Sequence, residues 1–313
     1  MKKKVIAVVG PTAVGKTKCS VEIAKRYGEV ISGDSMQIYK GMDVGTAKVT
    51  EEEMQGIRHH MIDIKEPDET FSVAEFKREV VKHIENIHKE GRIPIIAGGT
   101  GLYIQSVLYD YDFAEEKRDH LYQEALEAAI ERDGIDIHYA RLERIDPDYA
   151  AKVHKNNTRR VIRALEVYDK TGLTMTEYAE QETERESPYE PILIGLYMER
   201  EQLYDRINRR VDAMMEEGLL DEVRELINLG YENAQSMQAI GYKEFVPYFQ
   251  GESTLDEAVS LLKRNTRRFA KRQLTWFRNK LDVRWYEMDE ASPEQTFSTI
   301  LQDLEGIIEG GDE

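Results

Sequence analysis

Cysteine is almost absent: Cys19 is the only one in 313 residues. A lone thiol excludes an internal disulfide and any zinc site built on cysteines, and it suits a reducing cytoplasm. Long apolar runs are missing as well. The run at residues 5–9 falls far short of the roughly 20 residues of a membrane span. With no small-residue cleavage site behind it, that run is also too short for a secretory leader. A soluble cytoplasmic protein is the expectation. Positive charge is scarce: 43 Lys and Arg stand against 60 Asp and Glu, for a net charge of −17. That balance argues against a general affinity for nucleic acid. The scarcity is uneven, however. Residues 258–281 contain no acidic side chain, yet hold Lys263, Arg264, Arg267, Arg268, Lys271, Arg272, Arg278 and Lys280. An acidic body with one basic stripe suits a protein that touches a polyanion at one place. The solvated face of an amphipathic helix would give the same pattern.

What is present is enough apolar residue, 41% of the chain, to build a core of one large domain or two. Apolar runs at residues 5–9, 30–32, 93–97 and 192–197 have the composition of buried strands. Helical patterns at 16–27 and 73–89 separate the first three; in the second, Phe76, Val80, Ile84 and Ile87 fall in register. Alternating strands and helices imply an α/β fold with a parallel sheet, and a ligand site at the carboxyl ends of its strands. From about residue 112 the pattern turns helical, and strand composition returns only after a polar, proline-containing exit at 183–191. The expected organisation is a P-loop NTPase-like sheet flanked by helices (1–111 and 187–313, the latter mostly helical) with an all-helical subdomain inserted at 112–186.

The sharpest local signal is the stretch "GPTAVGKT": Gly10, Pro11, Thr12, Ala13, Val14, Gly15, Lys16 and Thr17. A strand before it and a helix after it are the context this phosphate-binding loop needs. Its backbone N–H groups and the helix N-terminus favour an anion. Lys16 adds a positive charge, and the Thr17 hydroxyl suits Mg²⁺. Just past the second strand comes Asp34, placed by a parallel sheet on the same rim, where a carboxylate accepts a proton or holds a metal; a helix cap is the plainer role. The third apolar run, in "IPIIAGGTGLY", ends in glycines and Thr100 rather than in the acidic residue that holds Mg²⁺ in many P-loop NTPases. That weakens the case for an ATP-driven motor and leaves a small-molecule kinase, or an enzyme for which phosphate is the leaving group. Thr100 offers a hydroxyl to a phosphate oxygen. The adjacent His59 and His60 project in different directions and make a poor metal pair, so a structural role is expected.

Taken together, "GPTAVGKT", "DSMQIY", "DVGTAK", "HHMID", "GGTGLY", "NNTRRVIRALEV", "GLLDEV", "QAIGYKE" and "TRRFAKRQLTWFR" resemble, in order, the motifs of the tRNA dimethylallyltransferases, over about residues 5–280. One departure is Asn157, where that family often has Asp. The resemblance implies transfer of a five-carbon group from dimethylallyl diphosphate to N6 of the adenine 3′ to the anticodon, with diphosphate leaving. On that pattern the loop holds the donor's diphosphate, helped by Mg²⁺ on Thr17, by Thr100, and by Arg206 or Arg210. Asp34 is the expected base. Ser35, Met36, Gln37, Gln238, Ile240 and Gly241 match positions near the target adenine. Arg118, Arg159, Arg160 and Arg163 of the insert, with Arg267, Lys271, Arg272 and Arg278 of the stripe, are expected on the tRNA backbone. Prenylation of a free adenylate, a P-loop kinase and a non-catalytic RNA-binding protein stay open as alternatives. The first of these has no need of the stripe or the arginine-bearing insert.

Overall fold

The computed structural model of the chain describes residues 2–110, 120–183 and 186–310. The chain divides into two compact units: Met1–Leu108 with Ser187–Glu313, and Tyr109–Glu186. The expected boundary at residue 112 and Arg118 lie outside the described residues.

The first unit is built on six parallel strands: β1 (Lys3–Val9), β2 (Gly28–Ser32), β3 (His59–His60), β4 (Ile93–Gly98), β5 (Tyr189–Tyr197) and β6 (Arg284–Glu287). Their order across the sheet is β3-β2-β4-β1-β5-β6. Val5 to Val9 of β1 are fully buried, as a central strand with both faces covered requires. Each such Val or Ile contributes about 1.5–3 kcal/mol on burial. Helices α1 (Lys16–Tyr27), α2 (Glu51–Met54), α3 (Val73–Lys89) and α4 (Gly101–Leu108) belong to the same unit. In α3 a Ser72–Glu75 capping box sets the start, and Phe76, Val80, Ile84 and Ile87 form the buried stripe.

The second unit is helical throughout its described residues: α5 (His120–Asp133), α6 (Ile135–Ile145), α7 (Pro147–Ala150), α8 (Thr158–Thr171) and α9 (Met175–Thr183). It has a core of its own, in which Leu142, Ala150, Val153, Val161, Ala164 and Leu165 cluster. Buried Asp146 starts α7, accepting from the Tyr149 N–H at 3.0 Å, and also takes the Thr176 N–H and hydroxyl at 2.9 and 2.7 Å.

The chain then returns to the first unit with α10 (Arg200–Glu216), α11 (Leu219–Asn228), α12 (Val246–Phe249), α13 (Leu255–Lys280) and α14 (Pro293–Glu309). The basic stripe is α13. Ala270, Gln273 and Phe277 are buried, while Arg264, Arg268 and Lys271 are exposed. The sequence reading anticipates neither β3 nor β6. His59 and His60 are an edge strand whose side chains separate: His60 Nε2 meets Glu29 at 2.6 Å and His59 Nδ1 meets the Ile57 carbonyl at 2.9 Å.

Candidate active site

Strands β1, β2 and β4 run the same way, so the loops at their carboxyl ends meet on one rim. After β1 the chain turns sharply at Gly10 (φ +147°), where a Cβ would lie 2.4 Å from the Leu196 carbonyl oxygen. Only glycine fits that approach. The loop closes into α1 through Gly15, whose left-handed conformation starts the helix. Lys16 Nζ donates to the carbonyls of Gly10 and Pro11, at 3.1 and 2.7 Å. Its pKa is lowered to about 8: burial disfavours the ammonium, Asp34 partly offsets this, and Arg210 adds to it.

Two cavities open on this rim. One, of about 140 Å³, is lined by Thr12, Ala13, Gly15, Lys16 and Thr17 of the loop, with Arg206 and Arg210 from α10. That is ample for a compact anion, since a water needs only about 10–15 Å³ of such space. Gly10, Pro11 and Val14 shape the loop without lining it; Val14 is fully buried. The second cavity, of about 320 Å³, has an apolar wall of Met36, Ile207, Val211, Met214, Leu262 and Phe269. Thr12, Asp34, Thr46, Ala47 and Arg210 line both.

Asp34 thus faces the polar and the apolar space at once. Its Oδ1 accepts the Met36 N–H at 2.8 Å, which fixes the carboxylate beside the turn after β2. The surface of Arg210 opens onto both cavities. Burial, then the neighbouring Arg206, pushes its pKa down, with Glu53, Glu217 and Asp34 opposing. Arg206 lies 3.7 Å from Glu290. Three cations therefore converge on the first cavity, an arrangement that favours a multiply charged anion. The oxygen donors on the first cavity, Thr17, Asp34 and Glu53, are of the hard type Mg²⁺ takes, and a cation bridging phosphate oxygens needs few protein ligands. Among the described residues no three His, Cys, Asp or Glu cluster into a metal cage of their own.

Other expected residues fall in several places. Thr100 lines the second cavity rather than the first, its hydroxyl accepting the Ser35 N–H at 3.3 Å. Ser35, Met36, Gln238, Ile240 and Arg272 line the second cavity as well. Gln37 lines the first; its amide accepts from Ser32 Oγ at 3.1 Å and donates to the Ala47 carbonyl at 3.2 Å. The Gly241 N–H donates to buried Glu244 at 2.9 Å, and Glu244 in turn accepts from Asn265 of α13. Arg267 is held by Asn208 at 2.5 Å. Lys271 is exposed on α13. Arg278 stacks over Tyr197 and Trp285, 5.9 and 5.6 Å from the ring centres. In the helical unit Arg159 and Arg160 are exposed on α8, and Arg163 donates to buried Glu166 at 2.9 Å. Asn157 stands at the N-cap of α8 without a side-chain cap bond.

Two residues not singled out from the sequence hold the site together. Glu222 of α11 accepts the N–H groups of Asp43, Val44 and Gly45 at 2.8, 2.8 and 3.0 Å, and the Tyr242 hydroxyl at 2.6 Å. It thereby fixes the loop that brings Thr46 and Ala47 to both cavities. Gln273 of α13 bridges the loops after β1 and β4. Its only sequence signal is an uncharged polar residue at core spacing, between Ala270 and Phe277.

The family model described as "IPP transferase" matches residues 37–280. A tRNA dimethylallyltransferase of Oceanobacillus iheyensis is 57% identical over 310 residues, covering 99% of both chains. One from Bacillus cytotoxicus is 55% identical over 98% of this chain and 96% of its own. Among solved structures, the tRNA isopentenylpyrophosphate transferase of Bacillus halodurans aligns over 100% of each chain with a TM-score of 0.73 at 49% identity. A eukaryotic dimethylallyltransferase, solved in snapshots of its action on tRNA, aligns over 98% of this chain and 80% of its own with a TM-score of 0.80 at 31% identity.

Proposed function

This chain belongs to the IPP transferase family, and from that membership we propose that it is a tRNA dimethylallyltransferase. It moves the dimethylallyl group of dimethylallyl diphosphate to N6 of the adenine 3′-adjacent to the anticodon, and diphosphate leaves. The observation that carries the site assignment is the common wall: Asp34 and Arg210 line both the polar cavity of the P-loop and the apolar cavity beside it. An allylic diphosphate has that same division, a dense anion joined to a short hydrocarbon.

Diphosphate in the P-loop cavity meets the loop N–H groups, Lys16, Arg206 and Arg210. Charge grows on the leaving oxygen as the carbon–oxygen bond breaks, and fixed cations aimed at it lower the barrier most. The Thr17 hydroxyl would hold Mg²⁺, which would add charge neutralisation there. The hydrocarbon lies against Met36, Phe269 and their apolar neighbours. Adenine N6 attacks the allylic carbon, and its proton passes to Asp34. Thr100, next to Ser35, orders the turn that carries Asp34.

The adenine must leave its stack, at a cost of a few kcal/mol that is smallest in a single-stranded loop. Ser35, Met36, Gln238 and Ile240 surround the space it would enter. Arg159, Arg160 and Arg163, with Arg267, Lys271 and Arg272, supply the positive charge for the tRNA backbone. A cytoplasmic setting agrees with Cys19, which is buried and whose thiol burial pushes up to about 12, followed by Glu22. No described helix is long and apolar enough to cross a membrane.

Labelled dimethylallyl diphosphate, Mg²⁺ and an anticodon stem-loop provide the test. Label on the RNA is the expected result. Label on AMP instead, or phosphoryl transfer from ATP, would overturn the assignment.

A further inference from the structure

Helix α13 turns two different faces to its surroundings. Outward it presents Arg264, Arg268 and Lys271. Inward it buries Gln273, whose amide is engaged at both ends: Oε1 accepts the Thr12 N–H at 2.8 Å, and Nε2 donates to the Gly99 carbonyl at 3.0 Å. Thr12 belongs to the P-loop and lines both cavities. Gly99 lies in the turn that leads to Thr100. One side chain thus spans the loops that follow two neighbouring strands.

The fit is close. A Cβ on Gly99 would sit 2.1 Å from Gln273 Nε2, so the amide packs directly on the loop backbone. The chemistry of the bridge is also restrictive. One end must accept and the other must donate. A glutamate of the same length accepts at both ends, a lysine donates only, and a methionine does neither. The amide orientation follows from the same network, since the reverse would set oxygen against the Gly99 carbonyl and N–H against N–H.

We propose that Gln273 is a positioning residue for the prenyl donor: its amide sets the gap between the P-loop and the glycine turn after β4, and so the shape of the cavity that receives the diphosphate. This rests on reading that cavity as the donor site. Gln273 touches neither reacting group; it acts through Thr12 and the Gly99 turn.

The experiment compares Gln273→Met and Gln273→Glu with the parent protein. Three quantities are read: kcat and KM for dimethylallyl diphosphate, KM for the anticodon stem-loop, and calorimetric binding of inorganic diphosphate with Mg²⁺. Melting temperatures check that each variant folds. Gln273→Met fills the space but orphans one donor and one acceptor, and donor KM should rise about tenfold. Gln273→Glu keeps the Thr12 bond, sets oxygen against the Gly99 carbonyl and puts negative charge behind the anion. It should raise donor KM by about a hundredfold. Stem-loop KM should stay within about twofold in both, and the diphosphate dissociation constant should follow the donor KM. A Gln273→Met enzyme with parental donor KM and diphosphate affinity would overturn the proposal, as would equal losses on the donor and RNA sides that track a fall in melting temperature. Diphosphate binding that weakens in the stated order, in a protein that prenylates no RNA, would uphold the positioning role and remove the substrate assignment instead.

Discussion

The rim of the parallel sheet and the helical unit carry positive charge in opposite ways. At the rim, Lys16, Arg206 and Arg210 are crowded together and partly withdrawn from water, and burial pulls the pKa of both Lys16 and Arg210 down. Lys16 spends its donors on two backbone carbonyls of its own loop. In the helical unit, Arg159 and Arg160 stand in solvent on α8, and the buried carboxylate of Glu166 on the same helix is held by Arg163 and Gln123. Enclosed cations interact strongly with one small anion and barely feel salt; exposed ones interact weakly with many charges and are screened within about 10 Å at 0.1 M salt. The first arrangement suits a diphosphate and the second a nucleic-acid backbone.

The largest expected effect lies at the rim. Asp34→Ala should lower kcat by about 10²–10⁴-fold, the usual worth of a general base, while diphosphate binding changes little. Asp34→Asn should do the same, because it keeps the turn acceptor for the Met36 N–H but takes no proton. A variant that lost diphosphate binding and kept kcat would reassign Asp34 to the anion site. Glu222→Gln comes next. Its amide can keep an oxygen on the Asp43 and Val44 N–H groups only by turning an N–H toward the Gly45 N–H that the carboxylate now accepts. With that part-buried donor orphaned and the carboxylate charge gone, kcat/KM should fall by about tenfold. A full rescue by this isostere would mean that Glu222 only fills space.

The parts of this fold that were legible in sequence are those encoded locally. Strands β1, β2, β4 and β5 are buried on both faces and read as unbroken apolar runs. The P-loop is one contiguous motif, and Asp34 follows a strand end. Strands β3 and β6, two and four residues long at the sheet edges, have no room for a pattern. Glu222 and Gln273 escaped for a different reason. Their partners are 177–179 and 261 residues away in sequence, so their roles exist only once the chain has folded. Charge counting has a limit of its own: Arg278 belongs to the basic stripe, yet the aromatic rings of β5 and β6 receive its guanidinium.

Acidity offers a milder perturbation of the rim. With the Lys16 pKa near 8, the free enzyme loses this ammonium as pH rises through that value. Donor kcat/KM should therefore be flat below about pH 7.5 and decline above 8. Lys16→Arg, charged throughout this range, should be weaker at pH 7 and lose the decline. A profile flat to pH 9.5 in the parent enzyme would mean that the ammonium is not part of donor capture.

The smallest effect belongs to α8, and it separates the two regions most cleanly. A phosphate contact made by an exposed arginine releases a counterion from the nucleic acid, so the logarithm of affinity falls with the logarithm of salt by roughly one unit of slope per contact. Arg159→Ala and Arg160→Ala should each reduce that slope for stem-loop binding by about one. The parent and the variants should then converge in affinity at high salt, where screening has removed the contribution in all of them. Diphosphate binding should be identical throughout, because the residues that line the P-loop cavity all belong to the first unit. If neither substitution moved the slope, the exposed charge of α8 would be no more than a solvated surface, and RNA recognition would rest on α13 and the residues around the second cavity.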